Sequence, residues 1–161
     1  MRHRRIPTKE NYYLDIAEAV AGRGTCIRRC FGAIIVKDDR IISTGYVGAP
    51  RGEEHCCDTG KCIRHELNIP SGERYELCKS VHAEMNAIIN GTASDMIGST
   101  MYLVGKHVND DGTLGEYVDG TSPCKLCRRM IINARIAYVV IRNADGNTWR
   151  KYPVSELPEY K

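Results

Sequence analysis

Two short pieces of this chain, His82-Ala83-Glu84 and Pro123-Cys124-Lys125-Leu126-Cys127, set the strictest condition on its fold. One imidazole, one carboxylate and two thiols, roughly 40 residues apart, become a chemical unit only if folding brings them to one point. His82 and Glu84 sit in SVHAEMNAII, residues 80–89, whose other members read as a helix bound for a core. Each helical residue advances about 100°, so residues 82 and 84 face nearly opposite ways in a continuous helix. They can serve one site only at the helix's beginning, with His82 in the first turn and both side chains reaching past the N-terminus.

The second piece has matching geometry. Proline is tolerated at the first helical position, so SPCKLC reads as a helix start with Pro123 there and Ser122 as its cap. Cys124 and Cys127, three apart, then face the same way, and the positive end of the helix favours their thiolates. One imidazole and two thiolates suit Zn2+, and three protein ligands with an open fourth position is the catalytic arrangement. Water takes that position, its pKa lowered from 15.7 to about 7, while Glu84, which is not a ligand, carries protons. A lone C-x-x-C, a lone helix-start His or a lone first-turn Glu each has an ordinary structural reading; joined, they specify catalytic zinc.

The remaining composition permits this site. A chain of 161 residues fits one domain with a sizeable core. Its charged fraction of 27% and hydrophobic fraction of 42% are those of a soluble protein, and no segment approaches a membrane span. The basic MRHRRIPTKE start lacks an apolar segment after it, which makes the cytoplasm the expected location. A net charge of +3 is too small to argue for polymeric nucleic acid. Eight cysteines without an export signal favour metal ligation over disulfides.

Residues 9–21 have the spacing of an amphipathic helix, and FGAIIVKDDRIISTGY (31–46) reads as an antiparallel hairpin. From 47 to 79 the pattern dissolves into Gly, Pro, charge and four cysteines, a length that needs a function or a staple. A helix follows at 82–90, a strand at 99–105, an exposed excursion to Ser122, a helix to about Ala134 and a buried strand at 136–141. The tail from Arg142 to Lys161 carries no clear pattern. This order predicts an α/β fold with helices covering a sheet.

H-A-E followed by P-C-x-x-C is the signature of zinc nucleobase deaminases. Through HAEMNAI, PCKLC and FGAIIVKDDRIISTGYVGAP, residues 10–142 resemble the zinc-dependent cytidine/deoxycytidylate deaminase superfamily, most closely its deoxycytidylate (dCMP) deaminase branch. The resemblance implies a three-layer α/β/α fold with a central mixed sheet, and one deaminase domain over 1–161 with a Cys-rich insertion at about 50–79. It implies hydrolysis of dCMP to dUMP and ammonia, with His82, Cys124 and Cys127 on zinc and Glu84 as acid/base. Tyr46, Val47, Gly48 and Pro50 match the substrate loop, Val47 standing where the family usually has Asn. Ala83 and Asn86 adjoin it, Asn86 facing the pocket or capping the local turn.

Cys26, Cys56, Cys62 and Cys78 match positions that bind a second, structural zinc, with Cys57 in place of Cys56, or His55 or His65 in the set, as alternatives. A closed tetrahedron of thiolates would tether the insertion; Cys30 reads as a core residue. Arg28, Arg29, Arg51 and Lys125 are candidates for the phosphate. The resemblance further implies a homo-oligomer, a hexamer among its forms, with dCTP and dTTP as effectors. Rival readings are a deaminase of another base, nucleoside or tRNA adenosine, and a zinc-stapled interaction module; Glu84 argues against the latter.

Overall fold

In the computed structural model, which describes residues 1–158, β1 (Arg29–Lys37) and β2 (Arg40–Tyr46) form the expected antiparallel hairpin. Asp38 and Asp39 join them with φ of 50° and 59°, the left-handed pair that a tight two-residue hairpin turn requires. β3 (Thr100–Val108) pairs antiparallel with the other side of β1, and β5 (Tyr138–Arg142) lies parallel to β3. β6 (Trp149–Pro153) closes the order β2-β1-β3-β5-β6, and β4 (Leu114–Tyr117) folds back on the far end of β3.

Both faces of this mixed sheet are covered, so its strands are apolar on both sides while their side chains still alternate. Ile34, Val36, Tyr102, Val104 and Val140 pack under α1 (Lys9–Ala21) with Tyr13, Leu14 and Ala17. Ala33, Ile35, Met101, Leu103, Val139 and Ile141 point the other way. They meet Ala83 and Ala87 of α4 (Ala83–Asn90), Met96 of α5 (Ala93–Met96) and Ile131 of α6 (Lys125–Asn133). The layers are α/β/α. The helix of the parallel β3–β5 crossover is α6, which brings its N-terminus onto the same layer as α4.

Close contact between α4 and the sheet depends on Gly45. A Cβ there would lie 2.2 Å from the Ala87 amide nitrogen and 2.4 Å from the Ala83 carbonyl oxygen, both backbone atoms that cannot swing away. Gly45→Ala is therefore expected to lower stability by roughly 3 kcal/mol. Denaturant titration reads that loss, and reduced zinc affinity would show that the first turn of α4 has shifted with it.

On the opposite face a polar knot ties α1 to the sheet. Arg142, 4% exposed, pairs with Asp15 (2.9 Å) and Glu18 (3.3 Å), while Glu18 also accepts from Lys106 (3.0 Å) and Tyr117 (2.7 Å). Burial alone would raise the Glu18 carboxyl, but the bonds from Tyr117 and Lys106 and the charges of Lys106 and Arg142 hold it below its usual value. A lowered folded-state pKa stabilises above the unfolded value, and that contribution is lost as pH falls through the folded one. Glu18→Gln should thus destabilise at neutral pH by about 1–3 kcal/mol, with the gap to wild type closing under acid in paired melts.

Three segments differ from the sequence expectation. The excursion after residue 105 is not all exposed loop, because β3 runs on to Val108 and pairs with β4. The insertion is not structureless: α2 (Cys56–Thr59), α3 (Ile63–Glu66) and a 3-10 turn at Tyr75–Leu77 punctuate it. The patternless tail supplies β6 and a 3-10 turn at Val154–Glu156; its last three residues lie outside the described ones. Among the described residues no helix is long and apolar enough to cross a membrane.

Candidate active site

The angular argument about His82 holds: it is the N-cap of α4, with extended backbone (φ −68°, ψ 153°), and Glu84 is the second helical residue. At the other half-site the helix begins later than expected. Cys124, not Ser122, is the N-cap of α6, and its sulfur accepts the Cys127 amide at 3.4 Å. Pro123 precedes the cap, and Ser122 donates instead to the Pro158 carbonyl (3.0 Å). A sulfur takes the place usually held by a hydroxyl, which aligns both thiols with the N-terminal dipole.

The two helix starts converge. His82 Nδ1 lies 3.4 Å from Cys124 Sγ and 3.3 Å from Cys127 Sγ, and all three ligand atoms fall within 4.8 Å of one another. Zn–N near 2.0 Å and Zn–S near 2.3 Å in a tetrahedron put such atoms about 3.5–3.8 Å apart, so the donor set fits zinc in identity and spacing. It is the only group of this kind among the described residues.

The electrostatics agree. A hydrogen bond from Cys127, with help from His82, holds the Cys124 thiol down to about 4 against the desolvation imposed by burial. That bond to Cys124 and burial push Cys127 up. One thiolate suppresses ionisation of its neighbour, so both can ligate as thiolates only around a cation. Glu84, 5% exposed, lines the same cavity; burial raises its carboxyl, opposed in part by His82. A carboxyl poised to hold a proton beside an open metal position suits acid/base work.

Of the substrate-loop candidates, Val47 lines this cavity, as does Ala83; Tyr46, Gly48 and Pro50 do not. Gly48 bridges to Val81 through paired backbone bonds of 3.1 and 2.7 Å, which fixes the loop to the residue before His82. Asn86 neither enters the cavity nor caps its turn: its Nδ2 donates to the Tyr46 carbonyl at 2.8 Å, tying α4 to the end of β2. Arg28 and Arg29 are on the cavity wall. Arg51 is turned to Asn90 (2.9 Å) and Lys125 is exposed, so neither reaches it.

Cys26, Cys62 and Cys78 share that wall, and the Cys56 thiol is raised by burial and then by the neighbouring Cys26 and Cys78. These four are not drawn into a mutual group like that of His82, Cys124 and Cys127. They come from four separate pieces of chain. Cys57 and His65 are exposed, and Cys30, 2% exposed, is a core residue of β1 as expected.

Sequence reasoning missed Arg64 and Tyr75, both on the cavity wall. Their signal was weak, since a single arginine and tyrosine in a polar insertion look like surface residues.

A mixed sheet that presents His, Cys and Cys at two helix starts, with a buried carboxylate beside them, defines the class of zinc-dependent base deaminases. The pattern described as "Cytidine and deoxycytidylate deaminase zinc-binding region" matches residues 7–143. The chain is 34% identical over 139 residues to the deoxycytidylate deaminase of Mycobacterium phage D29, covering 83% of this chain and 94% of that one. It is 30% identical over 145 residues to that of Schizosaccharomyces pombe, covering 88% of this chain but only 40% of the yeast protein. The dCMP deaminase from cyanophage S-TIM5, solved in complex with dCMP and dUMP, superposes with a TM-score of 0.57 at 25% identity, covering 87% and 85% of the two chains. This chain belongs to the cytidine and deoxycytidylate deaminase family, whose domain binds zinc.

Proposed function

We propose that the protein hydrolyses dCMP to dUMP and ammonia. The observation that carries this is Glu84, buried in the cavity beside the His82, Cys124 and Cys127 cluster. The relatives named as deoxycytidylate deaminases support the choice of base and sugar. Zinc, when bound, would supply a water that ionises near neutral pH and a positive charge to stabilise the reaction. His82, Cys124 and Cys127 would hold that ion; Val47, Ala83 and Phe31 give the base an apolar wall. Glu84 accepts one proton from the attacking water and passes it to the ring nitrogen beside that carbon, then takes the second from the new hydroxyl as it becomes the carbonyl and gives it to the departing amine. One water is consumed, one carbon–nitrogen bond breaks, and ammonia leaves.

The same reading takes the chain as one deaminase domain, acting in the cytoplasm on a free nucleotide, with residues 50–79 as an insertion held by a second zinc. The shared wall of Cys26, Cys62 and Cys78 supports that second ion, as does the amide of Arg28 donating to Cys26 Sγ at 3.4 Å, the same kind of bond that Cys124 receives. Metal analysis should find two zinc per chain; one would remove the insertion site. Exposed Ile89, Ile97, Leu126 and Ile132 around α4 to α6 support self-assembly, with the hexamer and its dCTP and dTTP regulation as forms to test by sedimentation with and without each triphosphate. A panel of dCMP, CMP, dCTP, deoxycytidine and guanine tests the substrate: dCMP should have the highest kcat/KM, and preference for guanine would overturn the reading.

A further inference from the structure

Arg64 is buried in an unusual way. The residue is 8% exposed, in a four-residue helix inside the insertion, yet it meets only neutral partners. Its Nε donates to the Glu73 carbonyl (3.1 Å), one Nη donates to the Pro70 carbonyl (2.7 Å), and its guanidinium lies over the Tyr75 ring at 4.6 Å. Among the described residues the ion pairs involve Lys9, Arg74, Lys106 and Arg142, and none involves Arg64. A guanidinium cannot shed its charge, and burial without a counter-charge is unfavourable. Two carbonyl dipoles and an aromatic face offset part of that penalty and hold the group rigid; an anion arriving from the cavity would offset the rest.

The place of Arg64 says which anion. It lines the cavity that contains His82, Glu84 and Cys124, and the Tyr75 ring it covers also meets the metal ligand: the Tyr75 and His82 rings lie 5.1 Å apart, edge to face at 84°. Arg28 and Arg29, at the entry to β1, line the same cavity. A cavity lined both by the metal-ligating residues His82 and Cys124 and by arginines from two other segments suits a ligand that carries a reacting ring and a charged group. Planar guanidinium donors suit phosphate oxygens better than a point charge would.

We infer that Arg64 contacts the 5′-phosphate of the substrate, so that the insertion, rather than the core of the fold alone, discriminates nucleotide from nucleoside. This rests on the deaminase reading above and deepens it. Its test is the ratio of kcat/KM for dCMP to that for deoxycytidine, measured on the zinc-loaded full chain. Arg64→Met should lower that ratio roughly 100-fold, mainly through KM for dCMP, because it removes charge-assisted bonds made only to the phosphate. Arg64→Lys, which keeps a charge and an apolar stem against Tyr75, should give an intermediate ratio, and it carries the test if the Met variant does not fold.

An unchanged ratio in both variants, or equal losses on both substrates, would overturn the assignment while leaving the deaminase reading intact. Binding of inorganic phosphate, followed by calorimetry, separates the two claims. Wild type should bind phosphate and Arg64→Met should bind it at least 10-fold more weakly, whatever base the enzyme accepts. Equal phosphate binding by the two proteins would also overturn the assignment. An inactive wild type that binds phosphate through Arg64 would sink the deaminase reading and keep the anion site.

Discussion

Glu84→Gln should retain its zinc and lose at least about 1000-fold in kcat, within the range that positioned acid/base groups supply. Glutamine keeps the size and nearly the shape of glutamate, so the packing of a side chain that is 5% exposed is preserved. What goes is the ability to accept a proton from water and return it to the ring and to the leaving amine. The carboxyl is not part of the His82, Cys124 and Cys127 group, so metal content should stay at the wild-type level. The substitution thereby separates holding the ion from moving the proton. If Glu84→Gln turned over at the wild-type rate, the acid/base role would be wrong and another group would have to carry the proton.

Cys127→Ser should act on both metal and stability. The side chain is fully buried, its Sγ lies 3.3 Å from His82 Nδ1, and a hydroxyl of ordinary pKa offers zinc no thiolate. Zinc affinity should fall by at least about 100-fold, since even changes outside the ligand set cost 10–100-fold. Activity should fall with it and return in part at high zinc concentration. Because bound metal stabilises the folded chain by mass action, excess chelator should lower the melting temperature of wild type and leave the variant nearly unmoved. A variant that kept tight zinc would show that Cys127 is not a ligand.

Much of the site was legible because its chemistry and its local structure share the same residues. His82 and Glu84 cannot face one point inside a helix, so their spacing alone located the start of α4. Cys124 and Cys127 did the same for α6, with an error of two residues in the cap, because Pro123 and Ser122 suit a helix start as well as Cys124 does. The β1–β2 hairpin was visible in two β-branched runs around Lys37-Asp38-Asp39-Arg40. β4 and β6 were hidden because Leu114–Tyr117 and Trp149–Pro153 lie at the sheet's margins, where half-exposed strands need no apolar alternation.

The second side of the cavity was legible only in part, through Arg28 and Arg29, for a different reason. Positive charge in a sequence carries no mark of whether it will be buried. Arg51 stands beside the substrate loop in sequence, yet it turns away to Asn90. Arg64 stands in a polar stretch 18 residues before His82 and ends on the cavity wall, because carbonyls of Pro70 and Glu73 fold back over it. Those bonds depend on the path of the insertion, which residue types do not encode by period.

The most direct measurement is product analysis after turnover of dCMP by the zinc-loaded chain in heavy-oxygen water. Hydrolytic deamination predicts dUMP carrying one solvent oxygen at the carbon that lost its amine, with one ammonia released per dUMP, and none of either from Glu84→Gln on the same timescale. No dUMP from dCMP, or dUMP without the solvent oxygen, would contradict the account.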